Sequence, residues 1–273
     1  DEKMKTAAPT EIGIAKAEKM LGVSNMYEKS VLPNSGIRQQ GINMNTTYDI
    51  TDNLHLTVNA NYVFEKFNGR SNLSDGNGNT NASLLYRANS FDVRWLERGS
   101  ESADWGTTDD GKELIGGTNE YFNNPYWLQY RKTNDMNKNR LTGSITLRYD
   151  ITDWLYAQGA VQRDGYNIEF QQVQPIGAAA DPNGFMNEYA KNFFETNMNY
   201  LIGFDKLFGD WSVGATVGGN RLHNLMKQWL VDGGRPFIVD GLWSVNNLAD
   251  HRFKKNYAEY KVNSVYGTVD FGW

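Results

Sequence analysis

The sequence predicts an all-β chain, an antiparallel up-and-down transmembrane β-barrel present here as a partial wall of about seven strands. Three observations predict this. The motif Tyr-Asp-Ile-Thr-Asp occurs twice, at Tyr48–Asp52 and Tyr149–Asp153, each time between two stretches that alternate polar and apolar residues. A third variant, Phe204–Trp211, sits between another such pair. The connections between these hairpins are long, and short turns at one end with long loops at the other are the layout of a membrane barrel.

Composition agrees. The 273 residues have a mean hydropathy of −0.62, with only 40% hydrophobic residues and 13% aromatics. A wet barrel interior with a narrow lipid-facing band has this profile. A disordered chain would not carry so many aromatics. There is no cysteine, so no disulfide framework and no thiolate metal site. No run of about 18 apolar residues exists to form a membrane helix. No apolar stretch follows Asp1–Lys5, so no signal peptide is read. The net charge of −5 gives no basic footprint and argues against a nucleic-acid partner.

Residues 1–35 are read as loop or short helix preceding the strands. Thr10–Leu21 fits an amphipathic helix with Thr10 as N-cap and Gly22 as stop, and Pro33–Gly36 is a turn signal. The barrel portion is read as 36–273. From Ile42 the period becomes two: Ile42, Met44, Thr46 and Tyr48 face one way, with Asn43, Asn45 and Thr47 opposite. Leu54, Leu56, Val58, Ala60, Tyr62 and Phe64 form the apolar face of the next strand. Runs of about 9–11 residues suit a tilted membrane strand.

The alternation then lapses over 67–136, an unusually long loop for a compact soluble domain but ordinary for a barrel. It returns with Leu141, Gly143, Ile145, Leu147 and Tyr149, and after the turn with Leu155, Ala157, Gly159 and Val161. A loop is expected at about 168–188. Phe194–Phe204 and Trp211–Val217 give the next two strands, a loop is expected at about 225–257, and Tyr260–Trp273 is the last strand. Seven strands do not close a membrane barrel, and two open edges are untenable in lipid, so a piece of a larger barrel is expected.

The blocks Asn124–Trp127, Asn137–Gly143 and Leu147–Leu155 resemble the middle of a SusC/RagA-type TonB-dependent transporter. Leu32–Gly36, leading into the Asn-rich strand, is similar to an earlier barrel segment of that family. The resemblance covers most of residues 30–273. It implies a 22-stranded barrel, a plug domain and a TonB box, of which the last two have no counterpart in this sequence. It further implies import of glycans or peptides with a SusD-like surface lipoprotein, outer-membrane lipid around the barrel, and TonB contact through an N-terminal region.

Tyr48, Tyr149, Trp154, Phe204, Phe208 and Trp211 cluster beside the three short turns and are expected to form an aromatic girdle at the headgroup level. The plainer reading is that they are core aromatics of a soluble sheet. Trp95, Tyr126, Trp127, Trp229 and Trp243, with Trp105, are candidates for substrate or partner contact. For any one of them the plainer reading, that it pins a loop in place, is favoured. Asn124 and Pro125 read as a turn that fixes Tyr126 and Trp127.

Asp75–Asn79 has oxygen ligands at alternate positions, as a calcium loop does, but lacks the bidentate Glu, so a Gly/Asn turn is favoured and no cofactor is expected. His55, His223 and His251 form no ligand motif, and His55 is expected on a solvated polar face with Asn43, Asn59, Arg140, Arg148, Gln158 and Gln162. No nucleophile triad or phosphate loop is present, and no enzyme is read. The rival readings are a porin or adhesin barrel and a soluble all-β carbohydrate-binding module.

Overall fold

The computed structural model describes residues 17–73, 78–97, 106–114 and 123–273. The two-residue period folds into a single antiparallel sheet whose eight strands pair in strict chain order. They are β1 (Ala17–Lys29), β2 (Gly36–Thr51), β3 (Leu54–Asn68), β4 (Thr133–Thr152), β5 (Leu155–Gln174), β6 (Phe185–Phe208), β7 (Trp211–Phe237) and β8 (Leu248–Gly272). The all-β, up-and-down expectation holds. No helix among the described residues is long and apolar enough to cross a membrane.

The repeated Tyr-Asp-Ile-Thr-Asp motif makes a repeated turn. In both copies the ladder shifts register, between Asp49 and Thr51 and between Asp150 and Thr152. The threonine hydroxyl then accepts from the backbone N–H two residues on: Asn53 to Thr51 at 3.4 Å, Trp154 to Thr152 at 3.4 Å. A short hydroxyl side chain competing locally for a backbone donor is what this turn chemistry requires. The third turn, Gly209-Asp210, instead uses glycine at φ +65°.

Two expectations need correction. The sheet has eight strands among the described residues, not seven, because residues 17–29 form β1 rather than loop or helix. Every residue of β1 pairs with β2, from Ala17 opposite Tyr48 to Lys29 opposite Gly36. That continuous ladder overrides a helical pattern only a few residues long. Residues 10–16 lie outside the described residues.

The loops are also shorter than expected. The long connection runs 69–132, but the other two are only 175–184 and 238–247, because β5 to β8 continue past the places where the pattern lapses. The cause is an inversion of phase. Low on β5 and β6, Val161, Met198 and Tyr200 lie on the apolar face. Higher up, the opposite face carries the rings: Tyr166 stacks on Phe193 at 4.8 Å and Phe170 on Tyr189 at 4.7 Å. A pattern that reverses its sides reads as no pattern in a fixed window. At the tips, Val173, Met186, Val231, Phe237 and Leu248 form a small buried core with Ile176 and Val245 from the connections.

The barrel-wall surface and its loop cluster

The register places the apolar residues of all strands on one continuous face. Val23 lies opposite Ile42, Ile42 opposite Tyr62 and Tyr62 opposite Leu141. Val58 meets Ile145, and Ile145 meets Val161. Val161 then meets Met198, and farther along Ile202 meets Val217. Most of these side chains are exposed although large and apolar. An apolar area of this extent marks an interaction with a partner or membrane.

The band slants across the ladder. Its loop-side limit is Phe64 on β3, Leu141 on β4, Val161 on β5, Met198 on β6, Gly219 on β7 and Val265 on β8. The hydrogen-bond row of Phe64 reaches β8 at Tyr257, eight residues short of Val265. Eight residues are about 27 Å along a strand and five strand spacings about 24 Å across, so the strands tilt by roughly 45–50° from the band normal. On β3 the band runs from Leu54 to Phe64, about 33 Å along the strand and roughly 23 Å in projection. That matches the ~25 Å apolar belt of an outer-membrane barrel.

The other face is polar. Asn45, Asn59, Ser144, Gln162, Glu195 and Asn197 line a trough in it. Asn59 donates to the Ser144 hydroxyl at 3.2 Å, and Arg140 binds Asp164 through both carboxylate oxygens at 2.9 and 2.7 Å. His55 falls on this face, between Asp49 at 2.6 Å and Asp150 at 3.1 Å, where it bridges two of the tight turns. No group of metal-ligating side chains comes together among the described residues.

The aromatics beside the turns gather at that end of the sheet. Trp154 meets Phe204 edge-on at 5.3 Å, and Trp211 packs against Phe271 at 4.9 Å and Trp273 at 6.1 Å. Lys206 lies 4.8 Å over the Trp154 ring. Tyr48, Tyr149, Phe208 and Trp211 are exposed.

The long connection holds two short helices, α1 (Thr80–Leu85) and α2 (Pro125–Tyr130). Asn124 builds the second. Its Oδ1 accepts from the N–H groups of Tyr126 at 2.9 Å and Trp127 at 3.3 Å, with Pro125 in the first turn. Its Nδ2 donates to the carbonyls of Leu96 at 2.8 Å and Leu114 at 3.1 Å. Gly106, at φ +71°, leaves room for this: a Cβ there would stand 2.7 Å from Trp127 N. Glu113, buried, accepts from Asn124 N at 2.5 Å and from Ala179 N at 2.6 Å, and so ties the long connection to residues 175–184. Burial pushes its carboxyl above the usual range against those two donors. Burial likewise lowers the Lys132 ammonium to about 8, opposed by the charges of Asp181 and Glu113.

The predicted contact residues do not form one site. Trp127 is fully buried against Leu128 and Ala178, so it holds the cluster together and presents no surface. Trp229 is not in a loop but in β7, opposite Ala190 and Lys255. Trp95, 42% exposed, meets Phe91 edge-on at 6.2 Å, and Trp243 packs on Phe237 at 5.0 Å. Tyr126 is half-buried. Trp105 and Asp75–Asn77 lie outside the described residues. Asn79 caps α1, accepting from Asn81 N at 2.9 Å and Ala82 N at 3.3 Å. The sequence signal for Asn124 was the Asn-Pro pair; nothing marked Glu113 or Lys132, whose burial depends on residues 175–185.

No protein-family model and no curated protein matches the chain. Solved structures do. The RagAB peptide transporter superposes with a TM-score of 0.68 at 12% identity, covering 94% of this chain and 28% of that one. The RagAB peptide importer in its closed-closed state gives 0.69 at 12%, covering 100% and 33%. The siderophore receptor PiuA from Acinetobacter baumannii gives 0.51 at 11%, covering 94% and 36%. The chain therefore has the fold of a partial barrel wall of these structures. The chain spans about a third of the length of these structures. The resemblance noted on the Asn124–Leu155 blocks thus agrees with the fold.

Proposed function

We propose that this chain is a section of the barrel wall of an outer-membrane, TonB-dependent transporter of SusC type. The observation that carries the reading is one exposed apolar face running across all eight strands, which slants from β3 to β8 and on β3 has the projected height of an outer-membrane barrel's apolar belt. The polar face would line the lumen, the short turns would face the periplasm, and the turn-side aromatics would form a girdle at the headgroups.

The RagAB likeness favours peptides as cargo, with glycans the other class that the SusC resemblance admits. A SusD-like lipoprotein would cover the loop end, and TonB would act through a region outside this stretch. The wall itself needs no catalytic group. Its residues exclude lipid on one side, hydrate the passage on the other, and hold the loop cluster in place.

An antibody to residues 133–273 tests this on fractionated cells of the source. The expected result is an outer-membrane band well above 31.0 kDa. A soluble product of 31.0 kDa would overturn the reading and favour a carbohydrate-binding module.

A further inference from the structure

The apolar face turns cationic within one or two side chains of its loop-side limit. On β5 the residue after Val161 on that face is Arg163. On β7 the residues after Gly219 are Arg221 and His223, then Lys227 beyond Leu225. On β8, Lys261 follows Val265 at the second position. Arg163, Thr196, His223 and Lys261 lie on one hydrogen-bond row, which spans about 14 Å. The Arg163 guanidinium sits 4.5 Å over the Phe194 ring, and the edge of that ring meets His223 at 5.9 Å.

The patch holds one carboxylate, Glu259, which bridges His223 at 2.8 Å and Lys261 at 3.0 Å and accepts from the Tyr257 hydroxyl at 2.5 Å. Four permanent cations against one carboxylate leave the patch positive on a chain whose net charge is −5. Arg163, Arg221, Lys227 and Lys261 are exposed.

Directly below it, on the same face, is an apolar hollow of about 670 Å³. It exists because Gly159 and Ala157 carry little or no side chain between Leu147, Tyr200 and Val265, while the Tyr200 ring lies over Gly219. Apart from its two chain neighbours, no residue has an atom within 4 Å of where a Cβ on Gly159 would stand. Cations above a strip of hydrocarbon-lined space match a molecule with an anionic head and acyl chains. Arginine is well suited to phosphate, which it binds through paired donors.

We propose that Arg163, Arg221 and Lys261 bind the phosphates of an anionic lipid whose acyl chains lie in the hollow beside Gly159. The site rests on the membrane reading above. It would favour the loop-side leaflet, because three cations gather at that edge of the hollow and Lys206, beyond Ile202 at the turn side, stands over the Trp154 ring.

The test uses the native transporter, purified from outer membranes in mild detergent, with lipid phosphorus measured per protein and bound lipid identified by native mass spectrometry. The expected result is a retained phosphate-bearing lipid, reduced several-fold by Arg221→Ala with Lys261→Ala, and also by Gly159→Leu, which fills the hollow without touching a charge. Insertion is checked by the heat-dependent gel shift of folded barrels. Unchanged lipid phosphorus in inserted variants would overturn the proposal. Complete displacement by millimolar inorganic phosphate would also overturn it, leaving a simple anion site. A protein that fractionates as soluble fails earlier, at the transporter reading itself.

Discussion

The backbone N–H of Asn124 donates to the buried Glu113 carboxylate at 2.5 Å, while the other oxygen of Glu113 takes the N–H of Ala179 at 2.6 Å. One side chain thus satisfies donors from two connections that are far apart in sequence. Asn124 itself caps α2 and spends its amide on loop carbonyls. Replacing Asn124 by Ala removes the cap and leaves buried carbonyls unpaired. The expected cost to the closed loop is about 2–4 kcal/mol. Limited proteolysis should then cut within 106–132 at a rate the parent resists, with the strands unaffected.

Lys132 makes the same cluster sensitive to pH. Its ordinary value of 10.5 falls to about 8 on burial. Below about 8 the lysine is charged whether the loop is closed or open, and the closed state bears the full desolvation cost. Between about 8 and 10.5 only the open state keeps the proton, so closure gains stability as pH rises, by about 3 kcal/mol at most. Glu113 acts in the opposite sense. Its raised value means that closure weakens as pH rises from 4.5 through that value. The two groups therefore push closure in opposite directions as pH rises. Hydrogen exchange of residues 123–132 against pH checks this, and Lys132→Met should abolish the alkaline rise alone.

Ile145 and Thr146 are neighbours on opposite faces, and they test which face meets lipid. Ile145 lies between Val58 and Val161 on the apolar face, and Thr146 lies between Thr57 and Ala160 on the other. Arginine at a mid-bilayer lipid-facing position costs about 2–4 kcal/mol. Ile145→Arg should therefore lower stability by that amount in denaturant titrations of the barrel in lipid. Thr146→Arg should change it little. Equal effects would refute the assignment of faces.

Trp154 reports on the turn-side aromatics. It packs edge-on against Phe204 and under the Lys206 ammonium. Trp154→Ala should destabilise the barrel by about 1–3 kcal/mol, through the lost ring contact and the lost cation–π interaction. Trp154→Phe should recover much of it. A girdle role adds a second readout: the indole emission should shift to shorter wavelength on transfer of the folded protein from detergent to bilayer.

The sequence by itself determined the sheet. Alternation from Ile42 to Phe64, from Leu141 to Val161 and from Phe194 to Val217 located the strands because one face meets an apolar medium and the other water, which writes a period of two into the residues. The paired Tyr-Asp-Ile-Thr-Asp motifs located the turns because a threonine hydroxyl must sit where it can take the N–H two residues on. The Asn-Pro pair located the α2 cap for the same local reason. Tertiary structure decided the rest. Strand β1 exists because β2 offers it a full ladder, which its own residues do not reveal. The upper halves of β5 to β8 were hidden because their apolar side switches faces where the surroundings change. Glu113, Lys132 and the buried Trp127 gain their roles only when residues 175–185 fold over them. The patch of Arg163, Arg221 and Lys261 draws on three strands, so only the register could assemble it.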